Sequence, residues 1–366
     1  MKVLFLPDYT EANAYQRELA GALRERQVTI VAEPTGRRRI VPILQAVRRH
    51  GRPDVLHVHW TEPYISGGRT DVSRLRVTRT LAELRLIRRA GTRVVWTVHD
   101  LSRHDRDVDP LEIRFNRSLF ALCGAVIVHC AAARDALLEA LDLPAAAAAR
   151  VRVIPHGHYQ GAYPDDVTRS DARDRLGLPQ TSRVFAFVGW VRPYKGVEEL
   201  IEAFRTVDAA DARLLIAGQP GSADFAERVT SLARDNARID LRLGFVPDHE
   251  LQLYLRAADA ICLPYREIFT SGSVLLAMTF GRAVIVPRRG CIGETLDEEG
   301  GLLYDPTAPT GLRDALVRAV SVDLDAMGGH NTARLPEFGW DRIADATLGV
   351  YRSLLDVGGG SARTRT

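Results

Sequence analysis

Lysine is almost missing from this chain of 366 residues: it occurs only at Lys2 and Lys195, although Lys and Arg together number 49. Arginine carries nearly all the positive charge, so a lysine kept in that background marks a place where a compact ammonium suits the chemistry better than a planar guanidinium. Cysteine is also scarce, and Cys123, Cys130, Cys262 and Cys291 lack metal-like spacing. The surroundings of Cys123, Cys130 and Cys262 are apolar, which predicts small buried residues in a reduced, cytoplasmic protein. The excess charge is only +3 and the aromatic residues (7%) do not interleave with the basic ones. That combination argues against a dedicated nucleic-acid binder. No apolar run approaches membrane-spanning length, and the opening Met1 to Pro7 is too short for a signal sequence, reading instead as a first buried strand. Membrane contact is then limited to a peripheral one at the inner face.

What is present is an alternation of short apolar runs with amphipathic stretches. In the first half, strands are expected at Val3–Leu6, Val28–Ala32, Val55–His59, Arg93–Val98, Ala125–His129 and Val151–Ile154. Helices are expected near Ala14–Arg26, Ile40–Arg49, Val72–Arg89, Leu111–Leu122 and Ala133–Leu141. Such alternation predicts parallel βαβ units. A stretch rich in Gly, Pro and Asp between Tyr159 and Ser182 reads as a linker, placing the boundary near residue 170. Beyond it the alternation starts afresh, from Val184–Val188 and Val197–Thr206 through Arg213–Ala217, Ala223–Asp235, Ile239–Leu243, Asp248–Ala257, Ala260–Leu263 and Ser273–Phe280 to Ala283–Val286. The expected organisation is an α/β protein with one doubly wound domain over 1–170 and a second over 171–340. A helix over 341–357 crosses back to the first domain, and a disordered tail occupies 358–366. The carboxyl ends of both sheets would open into a cleft, where ligands of such folds bind.

Lys195 lies in Val188-Gly189-Trp190-Val191-Arg192-Pro193-Tyr194-Lys195-Gly196-Val197, which follows a strand pattern and opens a helix. An ammonium and the Arg192 guanidinium beside free helix N–H groups suit a diphosphate; an ordinary charged surface turn is the plainer explanation. Gly218 and Gly244 end further strands and offer backbone to a base or ribose. In Pro264 to Ser273, Thr270 or Ser271 can cap the next helix while Gly272 and Ser273 present N–H groups to an anion or sugar oxygen. Glu267 adds a carboxylate to that loop.

In the first half, the loop after the first strand carries Asp8, Tyr9, Glu11 and Asn13. These can hold an acceptor hydroxyl or act as a base, and equally Thr10 or Asn13 can cap a helix. His57 and His59 share one strand face, with Glu62 following, but no third metal ligand is evident. His99 and Asp100 end the fourth strand, where imidazole and carboxylate can bind sugar hydroxyls or phosphate. His156 precedes Gly157 in a loop whose glycine permits close backbone approach, either to a ligand or for packing at a hinge. The segment Arg69 to Arg89 is arginine-rich. Val72, Leu75, Leu81, Leu84 and Ile87 read there as a face packed on the sheet, with a peripheral membrane approach as the other possibility.

Taken together, Gly189 to Gly196, Leu215 to Gly218, Ala258-Asp259-Ala260, Ala277-Met278 with Gly281, Val284 to Val286 and Gly300 to Tyr304 resemble GT-B glycosyltransferases of the family-four, or group 1, type over nearly the whole chain. Leu56 to Trp60 and Trp96 to Asp100 are similar to a bacterial subgroup of polysaccharide mannosyltransferase-like proteins. The resemblance implies two Rossmann-like domains facing a cleft and transfer of a hexosyl group from a UDP- or GDP-linked donor to a hydroxyl of a glycan, lipid-linked saccharide or small molecule. No cofactor is expected, and Lys195 with Arg192 can neutralise the leaving diphosphate in place of a metal ion. Retention is the family's usual outcome. Inversion stays open, with Asp8, Glu11 or Asp100 as base.

Catalysis is expected at His99, Asp100, Lys195 and Arg192. The donor would lie on Gly189, Arg192, Lys195, Gly218, Glu267, Thr270, Ser271, Gly272 and Ser273, and the acceptor on Asp8, Tyr9, Glu11, Asn13, His59, Glu62 and His156. The chain departs from the family's pattern at three places: Trp190 stands where an arginine is usual, and Ile268 and Leu276 stand where two glutamates bind donor sugar and ribose. Glu294 matches a frequent acidic position. Those departures keep two other readings open, a non-catalytic sugar-nucleotide or glycan binder and a sugar-phosphate epimerase or phosphorylase on the same fold.

Overall fold

The computed structural model describes residues 1–32, 41–65, 70–101 and 109–359. Ile40, Arg69 and the expected tail beyond Gly359 lie outside them. The described chain divides into two compact units, Met1–Gly157 with Gly339–Thr366, and His158–Phe338.

The first unit is built on β1 (Lys2–Leu6), β2 (Thr29–Ala32), β3 (Val55–Val58), β4 (Arg93–Thr97), β5 (Ala125–Val128) and β6 (Val151–Val153), all parallel in the order β2-β1-β3-β4-β5-β6. Strands β3 and β5 are buried at every position, as a parallel sheet covered by helices requires. Its helices are α1 (Ala14–Glu25), α2 (Pro42–His50), α3 (Glu62–Ile65), α4 (Thr70–Arg89), α5 (Pro110–Leu122) and α6 (Ala131–Ala140). Local signals fix several starts. Asn13 accepts from the Gln16 N–H at α1, and Asp109 caps α5 with Pro110 in its first turn.

The second unit contains β7 (Arg183–Val188), β8 (Ala212–Gly218), β9 (Ile239–Leu243), β10 (Ala260–Cys262), β11 (Ala283–Pro287) and β12 (Gly301–Tyr304), in the order β12-β11-β10-β7-β8-β9. Counted from β7, this is the doubly wound dinucleotide-fold order, which reverses between β7 and β10. The helices are α7 (Arg169–Leu176), α8 (Val197–Arg205), α9 (Ala223–Ala233), α10 (Leu251–Ala257), α11 (Gly272–Thr279), α12 (Ile292–Thr295), α13 (Gly311–Ala319) and α14 (Leu324–Ala333).

The final helix, α15 (Trp340–Gly359), belongs to the first unit and packs on α1. There Arg26 bonds Asp345 at 2.5 Å and Tyr351 is fully buried. The helix α15 is drawn to Gly359, two residues into the segment expected as a tail from 358.

The break between units falls after Gly157 rather than near 170. The segment expected as linker holds α7, capped by Thr168 and closed by Gly177 in the left-handed region, and Tyr159, Tyr163 and Val167 pack on the second unit's core. On α4, Val77, Leu81, Leu84 and Ile87 are buried, but Leu75 is 71% exposed, which corrects the expectation that it faces the sheet.

Candidate functional site

Ligands of doubly wound sheets bind outside the carboxyl ends of the strands where the order reverses. In the second unit those ends carry the loops after β7 and β10, which hold Lys195 and Ser271. Two backbone features join these loops, and a third ties the loop after β10 to the loop after β11. Gly196 has φ +70°, and a Cβ there would overlap the Pro264 carbonyl oxygen. The Arg266 N–H donates to the Tyr194 carbonyl at 2.9 Å, and the Cys291 N–H to the Phe269 carbonyl at 3.1 Å. Close by, Gly218 at φ +150° leaves no room for a Cβ against the Gly189 carbonyl. Glycine at 196 and 218 is therefore set by backbone crowding together with positive φ, and at 189 by positive φ alone.

The two expected cations each lie against aromatic rings. The Lys195 Nζ is 4.4 Å from the centroid of Tyr265 and 5.1 Å from that of Tyr194, and the Arg192 guanidinium is 4.7 Å from that of Trp190. Such rings attract a cation without cancelling its charge. Arg266, the next cation along, engages Glu199 and Glu198 of α8 and so belongs to the scaffold. Ser271, not Thr270, caps α11: its Oγ accepts from the Val274 N–H at 3.4 Å and lies 3.0 Å from the Tyr265 hydroxyl. Gly272 and Ser273 form the first turn of α11, whose N–H groups have no earlier helical partner. Glu267 is exposed, while Ile268 and Leu276 are half-buried and pack on the core. Glu294 lies in the short helix α12 and is exposed. Sequence reasoning missed Tyr265, which is 2% exposed and reads as an ordinary core residue.

In the first unit the strand order reverses at β1, between β2 and β3, and the expected acceptor residues sort into two groups. Asp8 and Asn13 serve the chain itself. Asp8 accepts from the Thr10 N–H and hydroxyl at 3.1 and 2.7 Å, and Asn13 caps α1. Tyr9 sits with its ring 5.4 Å from Trp60, while Glu11 and Glu62 are exposed.

The histidines form the second group. His57, His59, His99 and His129 are buried and ring-packed, with Tyr15 contacting His59, His99, His129 and His156. His99 stacks on Trp60 at 4.5 Å and 14°. Burial holds all of them neutral: His129 is pushed down to about 4, His57 and His156 to about 3, and His59 and His99 well below the usual range.

Neutral rings joined in a line fix one another's tautomers. The Ile154 carbonyl can only accept, so His129 carries its proton on Nδ1, at 3.0 Å from that oxygen. His129 Nε2 then accepts from His99 Nδ1 at 3.4 Å, and His99 Nε2 accepts from His59 Nδ1 at 3.4 Å. The line ends on the buried His59 Nε2, which has no hydrogen-bond partner among the described residues. His57 stands apart, bonded to the Tyr351 hydroxyl at 2.6 Å and the Thr97 hydroxyl at 2.7 Å. Asp100 follows His99 and is exposed. His129 was missed because a lone histidine at a strand end carries no signal of its own; its meaning comes from strands paired side by side.

Gly157, expected to admit a ligand or to pack at a hinge, leaves room for Trp340: a Cβ there would overlap the indole.

Two family models match the chain: "Glycosyltransferase Family 4" over residues 5–158 and "Glycosyl transferases group 1" over residues 182–321. Among curated relatives, the GDP-mannose:glycolipid 4-beta-D-mannosyltransferase of Xanthomonas campestris pv. campestris is 27% identical over 326 residues, covering 85% of this chain and 83% of the relative. The D-inositol 3-phosphate glycosyltransferase of Acidothermus cellulolyticus is 29% identical over 332 residues, covering 85% and 69%. Among solved structures, the sucrose-phosphate synthase of Thermosynechococcus elongatus superposes with a TM-score of 0.77 at 19% identity, covering 97% of this chain and 99% of that one. The Anabaena HepE protein in complex with UDP and glucose gives 0.73 at 16% identity, covering 96% and 100%. The fold is accordingly GT-B, with one Rossmann-like unit matched by each family model.

Proposed function

Because the chain belongs to the family-four, group 1 glycosyltransferases, we propose that it moves a hexosyl group from a UDP- or GDP-linked donor to a hydroxyl of a lipid-linked saccharide. The observation that carries this reading is the pair of cations, Lys195 and Arg192, each against an aromatic ring at the strand-order reversal and followed by the Ser271-capped start of α11. Fixed cations and helix N–H groups stabilise the charge that develops on a departing diphosphate, so turnover does not require a divalent metal. Ser271, Gly272 and Ser273 take the place of the first family glutamate by meeting sugar oxygens without adding negative charge beside the phosphates. The acceptor is held by the first unit; the buried His99, with both ring nitrogens engaged by His59 and His129, stands behind that site rather than at the reacting sugar.

Retention is the stereochemical reading, the leaving phosphate accepting the acceptor's proton on the same face. The word "beta" in the name of the Xanthomonas relative, whose named donor is GDP-mannose, favours a second reading: inversion with Asp100 or Glu11 as base, since Asp8 is engaged by Thr10. The anomeric proton of the product, read by NMR, decides between them.

A glycolipid acceptor also accounts for α4, whose solvent side exposes Leu75 and Leu86 among Arg74, Arg85 and Arg89. Arginines and leucines on one face suit an anionic lipid surface. Cosedimentation with phosphatidylglycerol vesicles at low salt is expected, and its absence would remove the membrane contact.

The donor reading is tested by melting the protein with GDP or UDP, each with EDTA in excess, and by turnover of GDP-mannose and UDP-glucose. A ligand of the folded state raises Tm by mass action. Lys195→Ala should weaken nucleotide binding about ten- to a hundredfold, the worth of a charged hydrogen bond. No stabilisation by either nucleotide would overturn the reading.

A further inference from the structure

We infer that Tyr265 is a positioning residue of the diphosphate site: its ring face holds the Lys195 ammonium while its hydroxyl holds Ser271, so that one rigid side chain sets the cation and the start of α11 relative to each other. The inference rests on the donor reading above.

A lysine side chain has four rotatable carbons and loses much entropy when it is fixed. An aromatic face attracts the ammonium through its quadrupole and narrows the positions it takes up. Tyr265 is well placed for that task. It is 2% exposed and belongs to the second unit's core, its N–H donates to the Leu263 carbonyl at 2.8 Å, and the N–H of its neighbour Arg266 donates to the Tyr194 carbonyl at 2.9 Å. The ring therefore has little freedom of its own. Its face lies 4.4 Å from the Lys195 Nζ, while its hydroxyl lies 3.0 Å from the Ser271 Oγ that caps α11. The cation and the helix start, contributed by separate loops, thus meet on one side chain.

The test is calorimetric titration of GDP and UDP into the full-length protein carrying Tyr265→Leu, alone and together with Lys195→Met. Removing the side chain should weaken binding about three- to thirtyfold when Lys195 is present and distinctly less in the Lys195→Met background, where only the contact to Ser271 is lost. An equal loss in both backgrounds means that Tyr265 acts only through packing, and overturns the inference. Should the leucine variant fail to fold, phenylalanine analogues of rising fluorine content at position 265 keep the shape and drain the ring face. Affinity should then fall stepwise with fluorination in the Lys195 protein and stay flat in the Lys195→Met protein. A flat series in both overturns the role of the ring, and equal affinity of the tyrosine and plain phenylalanine forms overturns the role of the hydroxyl. If Lys195→Met itself leaves nucleotide affinity unchanged, the donor reading fails first; if it weakens binding while the fluorinated series is flat, only the role of Tyr265 fails.

Discussion

At Gly196 a single missing carbon decides whether the loop after β7 can pack against the loop after β10. The residue takes φ +70° and lies against the Pro264 carbonyl, so any side chain meets both an unfavourable backbone region and a steric overlap. Gly196→Ala is expected to cost about 1–3 kcal/mol in a urea melt and to weaken GDP and UDP binding as the loops after β7 and β10 are driven apart. Unchanged nucleotide affinity in that variant would separate the loop geometry from the site. The glycines and the Ser271 cap were legible in the sequence because strand-to-helix turns favour those residue types, although the segments that crowd Gly196 and Gly218 are distant along the chain. Tyr265 was not, since the lysine it holds is distant along the chain. Asp8 and Asn13 were legible only as polar residues near a strand end, and the structure assigns them to a turn and a helix cap.

Among the elements, the alternating strands and helices were readable from periodicity, because buried parallel strands and amphipathic helices repeat differently. Besides the elements between β11 and α15, what escaped was α7, which hides in a polar stretch and depends on the Thr168 cap and the contacts of Ala172 and Leu176 with the core. The close fit of α15 could not be read either, because it relies on Trp340 finding the one position, Gly157, that lacks a Cβ. Gly157→Ala should therefore cost about 1–3 kcal/mol through overpacking and shift the tryptophan fluorescence. An unchanged melt and spectrum would show that the indole does not depend on the gap. Tyr351→Phe tests the same helix from its other end. It leaves a buried ring nitrogen of His57 without its 2.6 Å partner, an expected loss of about 1–3 kcal/mol in the same measurement.

For the molecule as a whole, the buried histidines make folding stability depend on acid, and the direction follows from their depressed values. In the native state His129 titrates at about 4 and His57 at about 3, whereas an unfolded chain takes up these protons near the ordinary value of about 6.5. Above that value both states are neutral at these rings and their contribution to stability is fully present. As pH falls below it, the unfolded chain binds protons that the native chain refuses, so stability is lost until the native groups titrate in turn. His57 and His129 are 0% and 6% exposed, so solvent screens little of the effect. Each fully depressed site contributes up to about 1.4 kcal/mol per pH unit, and the two together on the order of 2–3 kcal/mol per pH unit across the range between about 6 and 4. The urea midpoint should accordingly be flat from pH 8 to 7 and fall steeply from 6 to 4.5, with His57→Gln and His129→Gln each reducing the slope. A midpoint that holds constant from pH 7 to 5 would mean that these histidines take up protons in place, and would end the account of a neutral, tautomer-locked line through His129, His99 and His59.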